Sequence, residues 1–120
     1  MIIKNIFIMK ITNKKNLPEV GVSHNPEIKK KVFIDDQEIP KLMMFGEATF
    51  KPGQFVEKHS HNTLFEVFYI CSGKAIFNIN GNDIEVREGD CIRIEPKEEH
   101  YQNNPFDLDV TWMYFGIATD

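Results

Sequence analysis

An all-β fold, closed as a barrel or a jelly-roll sandwich, is what the sequence predicts, and three observations predict it. Nowhere do apolar residues recur at three-and-four spacing over a window long enough for an amphipathic helix. Period-two alternation of apolar and polar residues appears several times instead. Turn signals punctuate the chain at short intervals, which gives about eight to ten short strands.

The elements follow in chain order. Met1 to Lys15 mixes four lysines with short apolar pieces but has neither the hydrophobic segment nor the small-residue cleavage site of a secretory signal, and either Met1 or Met9 fits as a natural start. Asn16 to Pro40 contains Pro18, Gly21, Pro26 and Pro40 and reads as loop, with one short strand near Val32 to Ile34 and the triplet Lys29-Lys30-Lys31 as a solvated face. Residues 1–40 are thus expected to lay strand and loop against a barrel formed by residues 41–120, in one domain overall. Leu42 to Phe50 is a long apolar strand ended by Pro52-Gly53, and Gln54 to His59 and Leu64 to Ser72 flank the turn at Asn62-Thr63. Lys74 to Ile79 and Asp83 to Arg87 flank Asn80-Gly81-Asn82, and an Asn-Gly pair between alternating segments is the strongest short-range hairpin signal. After a turn at Glu88-Gly89-Asp90, Cys91 to Ile94 reads as a strand stopped by Pro96. The last strand alternates Phe106, Leu108, Val110, Trp112 and Tyr114 on its core face.

Charge and composition remove several function classes. Over 120 residues, 14 basic against 18 acidic side chains leave a net charge of −4, the wrong sign for a phosphate-binding surface, so no nucleic acid is expected as partner. No apolar run approaches the roughly 20 residues of a membrane-spanning helix. Two cysteines, Cys71 and Cys91, are too few for a disulfide scaffold and fit small buried positions in a protein of the reducing cytoplasm.

Three of the four histidines enter one geometric argument. His59 and His61 stand two residues apart at a strand end, so their rings leave the same face, and Glu66 opens the returning strand beyond the turn. His100 lies far along the chain, where an opposite sheet would bring it to the same spot. Three neutral imidazoles and one carboxylate, with no thiolate, suit one divalent transition metal ion such as Fe, Mn, Ni, Co or Zn and do not suit a closed structural zinc site. His24 lies in a Pro- and Gly-containing loop and receives no role.

At these residues the chain resembles the cupins. Their first motif runs G, five residues, H-x-H, three or four residues, E, six residues, G, and Gly53, His59, His61, Glu66 and Gly73 occupy every position. Their second runs G, five residues, P-x-G, two residues, H, three residues, N, and Gly89, His100 and Asn104 keep its register, with Glu95 and Lys97 in place of the proline and second glycine. The resemblance covers roughly Phe45 to Gly116 and is closest to small single-domain bacterial members. It implies a cupin-type jelly roll, or double-stranded β-helix barrel, with His59, His61, Glu66 and His100 as metal ligands. It also implies a pairing of barrels into a homodimer, for which the apolar segment Ile2 to Ile8 offers an edge.

Around that centre, Phe55, Phe68 and Tyr114 are candidate walls of a small-molecule pocket. Arg93 points either to solvent or inward, where it would anchor an anionic substrate. Glu57 shares the parity of His59 and His61 and reads as an exposed carboxylate, the alternative being a partner that supports the ligands or an acid–base group. Two functions from different classes remain. One is a small metalloenzyme, an oxygenase, isomerase, decarboxylase or lyase acting on an oxygen-rich substrate. The other is a non-catalytic module that binds or senses a sugar or small acid.

Overall fold

A computed structural model describes residues 8–120 as nine strands and one 3-10 turn at Lys14–Asn16. In chain order the strands are β1 (Val20–Val22), β2 (Asn25–Ile34), β3 (Leu42–Phe50), β4 (Leu64–Ser72), β5 (Lys74–Ile79), β6 (Asn82–Arg87), β7 (Cys91–Ile94), β8 (His100–Asn103) and β9 (Val110–Ala118). They form a six-stranded sheet in the order β1-β2-β3-β9-β4-β7 and a three-stranded sheet in the order β6-β5-β8. Every pairing is antiparallel, and the architecture is the jelly roll.

The alternation of side chains builds the core between the sheets. From the large sheet come Ile28, Phe50, Phe68, Ile70, Val110 and Trp112, and from the small one Ala75 and Phe77, all buried. The Trp112 indole lies at the centre, its ring 4.5 Å from Phe50 and 5.3 Å from Phe77. Two turns show why their residues are needed. Asn80 and Gly81 both take positive φ, +50° and +86°, the twist that a two-residue hairpin loop requires between β5 and β6. Gly73, at φ +79°, joins β4 to β5, and a Cβ there would stand 2.4 Å from the Asp109 carbonyl oxygen. Only glycine fits that crossing.

Three expectations about the strands are corrected. Asn16 to Pro40, expected as loop around one short strand, contains the hairpin β1–β2, and β2 pairs with β3 along Lys29–Thr49 to Ile34–Phe45. Pro26 sits near the start of β2, where it breaks little of the ladder, and the lysine stems extend along the sheet while two of their charged heads bond backbone carbonyls. Gln54 to His59 makes no strand and contributes only two isolated bridges, Phe55 with Asn103 and His59 with His100. The final strand starts at Val110 rather than Phe106. Pro105 interrupts it, and the buried Asn104 amide binds the carbonyls of Phe50 and Leu108 and accepts from the Phe106 N–H, folding residues 104–109 into a loop. Leu108 is consequently exposed. Apart from Ile8, the segment Ile2 to Ile8 lies outside the described residues.

Candidate metal centre

His59 and His100 face each other across an isolated bridge, their backbones exchanging hydrogen bonds of 3.0 and 2.8 Å. His61 follows two residues later, its carbonyl receiving the Lys97 N–H at 2.6 Å. Glu66 stands on β4 between Ile94 of β7 and Gly116 of β9. His100 opens β8 and is only 1% exposed.

The turn before His100 explains how a departure from the second motif is absorbed. Glu98 N–H bonds the Glu95 carbonyl, Pro96 takes the second position, and Lys97 takes φ +72°, which together make a type II turn. Lys97 thus adopts the left-handed conformation usual for glycine. Pro96 supplies the fixed φ that the second position favours. The Glu98 carboxylate ties the turn further, accepting from the Glu95 N–H and from the Asn80 amide.

His59, His61, Glu66 and His100 each offer one ligand atom, and these atoms lie within 4.8 Å of one another. Glu66 Oε1 is 2.9 Å from His100 Nε2 and 3.3 Å from His61 Nε2. His59 Nδ1 lies 2.8 Å from the Glu57 carbonyl and His100 Nδ1 2.9 Å from that of Glu98. A carbonyl only accepts, so both Nδ1 atoms carry the proton, and in the neutral ring each Nε2 turns a bare lone pair to the cluster. Between that lone pair of His100 and the Glu66 carboxylate, a cation is required, whether a proton or a metal ion.

The titration of these groups expresses the same geometry. Burial alone would raise the Glu66 carboxyl, but hydrogen bonds and charge from His100 and His61 outweigh it and bring the pKa from 4.5 to about 2. Burial likewise opposes charging His100, yet Glu66 and the Glu98 carbonyl together hold its pKa above the usual value. His59 goes the other way. Burial dominates there, with His100 and His24 adding to it, and its pKa falls. Burial, and then the charge of Glu66, push the Tyr114 phenol up, so it keeps its proton.

The cluster opens into a cavity of about 190 Å³ lined by His59, His61 and Glu66 together with Phe68, Trp112 and Tyr114. The Phe68 and Tyr114 rings stack at 5.5 Å on one wall. Phe55 and Arg93 lie elsewhere. Phe55 is 53% exposed on a separate surface groove with Glu57 and Tyr101, because residues 54–58 run outside the sheet rather than as an alternating strand. The Arg93 side chain is 71% exposed and pairs with Glu95 at 2.8 Å. On β7 it is the neighbouring Ile94 that enters the core, which sends Arg93 outward. The cysteines are also not as expected, since Cys91 is exposed and Cys71 only partly buried.

Two residues passed over in the sequence do reach the cavity. His24, in the β1–β2 turn, stacks on His59 with ring centres 4.0 Å apart and an interplanar angle of 22°. Lys30, from the lysine triplet, lines the same cavity from β2. The signal for Lys30 was its parity with Ile28, legible only if Asn25–Ile34 is read as one continuous strand. Nothing in the sequence pointed to His24, whose position depends on the β1–β2 hairpin.

A family model described as "Cupin domain" matches residues 46–116, more than half of the chain. The chain belongs to the cupins. Among cupin relatives, the oxalate-binding protein of Thermotoga maritima is 30% identical over 73 residues, which cover 61% of this chain and 60% of that protein. The chain thus spans well under two thirds of that relative in the match. Among solved structures, a predicted oxalate decarboxylase from T. maritima superposes with a TM-score of 0.83 at 22% identity, covering 91% of this chain and 99% of that one. The structure of KdgF from Halomonas sp. superposes with a TM-score of 0.79 at 16% identity, covering 94% and 96%. At such identities the superpositions establish the cupin fold. No helix among the described residues is long and apolar enough to cross a membrane.

The donor set fits a metal ion. Three imidazole nitrogens and one carboxylate suit a borderline divalent ion, and the backbone carbonyls that receive the Nδ1 protons of His59 and His100 are the outer partners such ligands need.

Proposed function

We propose that this cupin holds one divalent transition ion, Fe, Mn, Ni, Co or Zn, on His59, His61, Glu66 and His100, and acts as a small-molecule metalloenzyme on an oxygen-rich acid. The observation that carries this reading is the convergence of four ligand atoms within 4.8 Å beside a cavity that His59, His61 and Glu66 line. When bound, such an ion supplies Lewis-acid polarisation or activation of dioxygen. The chain's own residues do the rest. Phe68, Trp112 and Tyr114 form an apolar wall that limits water at the site. Tyr114, held protonated by burial and by Glu66, presents a hydrogen-bond donor. The likeness to an oxalate-binding protein supports a small acid as ligand.

The name of that relative also favours a second reading, a module that binds a small acid without turning it over. A cytoplasmic homodimer completes the proposal, supported by the two free cysteines and by β1, which among the described residues pairs only with β2 and leaves Val20 exposed.

Oxalate titrated into metal-loaded protein, before and after chelation, tests the proposal. Binding should require the metal and should weaken by about 100-fold in His61→Ala, with the barrel still folded by circular dichroism. Equal binding with and without metal would contradict it. Conversion of oxalate and a proton to formate and carbon dioxide would mark a decarboxylase, whereas oxalate recovered intact would favour the binding module.

A further inference from the structure

Along β2 the side chains alternate, and Ile28 is fully buried in the core. Lys30 has the same parity and therefore points to the same side. Its neighbours point away. The Lys29 ammonium bonds the Pro26 carbonyl at 3.0 Å and the Lys31 ammonium bonds the Lys14 carbonyl at 2.9 Å, both on the outside of the molecule. Lys30 instead lines the cavity with Ala48 and Phe50 of β3, and His24, His59, His61 and Glu66 line the same cavity.

Lys30 is half-buried, and an ammonium in that setting either pairs with a carboxylate or reaches solvent along its stem. Among the described residues Lys30 has none within salt-bridge distance, and no side-chain or carbonyl oxygen accepts from its ammonium. Burial is accordingly the leading influence on its titration and lowers its pKa, with the negative charge of Asp35 acting in the opposite direction. Among the described residues, Glu66 is the one carboxylate that lines the cavity, and it is already engaged by His61 and His100. Among the described residues, Lys30 therefore borders a small cavity with the charge of Asp35 in its surroundings but with no ion-pair partner.

We infer that Lys30 is the anion-holding residue of this cavity, pairing with one carboxylate of a small dicarboxylic acid whose other end lies at the His59, His61, Glu66 and His100 cluster. The inference rests on the proposed function and narrows its substrate class to small dianions. Charge supports it. A divalent ion offset by Glu66 leaves one positive charge at the cluster, and Lys30 adds a second on the lining of the same cavity, which together match two carboxylates. Size is in keeping with it, since a cavity of about 190 Å³ is smaller than the pockets that take drug-sized ligands and suits a small acid. Lys30 also takes the part that the sequence suggested for Arg93, which faces solvent.

Calorimetric titration of the metal-loaded full chain with oxalate, malonate and formate tests the inference, using wild type, Lys30→Met, Lys30→Arg and, as a control, Lys31→Met. Lys30→Met should weaken both dianions by about 10- to 100-fold and formate by less than about threefold, at unchanged metal content. Lys30→Arg should restore most of the loss, and Lys31→Met should behave as wild type. Lys30→Gln replaces the methionine variant if that one does not fold. Dianion affinities unchanged in Lys30→Met would overturn the inference. So would a metal-loaded wild type that binds none of the three probes, while leaving the metal reading of the cluster in place. Conversely, loss of dianion binding in Lys30→Met from a protein that takes up no metal would uphold Lys30 and contradict the proposed function.

Discussion

Glu66 bears most of the electrostatic cost of the site. Its carboxyl is nearly buried, and it remains ionised because two imidazoles approach one of its oxygens. With a folded pKa near 2 against an ordinary 4.5, its contribution to stability is complete above about 4.5 and is lost as the pH falls towards 2. In metal-free protein, urea unfolding across this window should show an acid limb of about 2–3 kcal/mol that Glu66→Gln flattens. An acid limb of the same depth in the variant would mean that other carboxylates set it. The four cluster residues could be named in the sequence because H-x-H and the following glutamate are local, with spacings that β-strand parity translates directly into a shared face. Arg93 could not be placed in the same way. Its inward or outward choice depends on which neighbour enters the core, and the structure gives that place to Ile94.

At the scale of elements, the turn Glu95-Pro96-Lys97-Glu98 does the work of a motif whose proline and second glycine are missing. Its backbone places the Glu98 carbonyl under His100 Nδ1 and the Lys97 N–H on the His61 carbonyl, so one turn orients two of the histidines. Lys97 sustains a positive φ at some cost. Lys97→Gly should therefore stabilise the protein by about 0.5–1 kcal/mol in urea unfolding, relief of the strain exceeding the added flexibility of the unfolded chain. A destabilised variant would show that the Lys97 side chain contributes more than its backbone costs. The hairpin Asn80-Gly81 and strands β3 to β7 were legible because each carries its own alternation and its own turn residues. The β1–β2 hairpin was not. Its charged and proline-containing sequence satisfies no strand pattern alone, and it becomes strand by pairing with the edge that β3 offers.

For the whole molecule, the jelly roll brings together residues that the chain keeps far apart. Glu66 and His100 stand 34 positions from each other and meet at 2.9 Å, because β4 and β8 belong to the two facing sheets. The fold class was readable since alternation and turns recur throughout the chain. The composition of the cavity was only half readable. Phe68 and Tyr114 line it and follow strand parity, whereas Lys30 and His24 enter from an N-terminal hairpin whose place beside β3 is a property of the assembled sheet. Cupin relatives and superposed structures agree with this architecture, and the 46–116 match takes in all four residues of the cluster but neither His24 nor Lys30. Part of the cavity lining thus lies outside the matched segment.

The proposed function depends on His59, His61, Glu66 and His100 holding one divalent ion. Elemental analysis of protein purified without a chelator or a metal-affinity tag, alongside His59→Ala, tests it most directly. About one equivalent of Fe, Mn, Ni, Co or Zn per chain is expected in the wild type, and its loss in the variant. A wild-type protein that contains no metal and takes up none of these ions when they are added would contradict it.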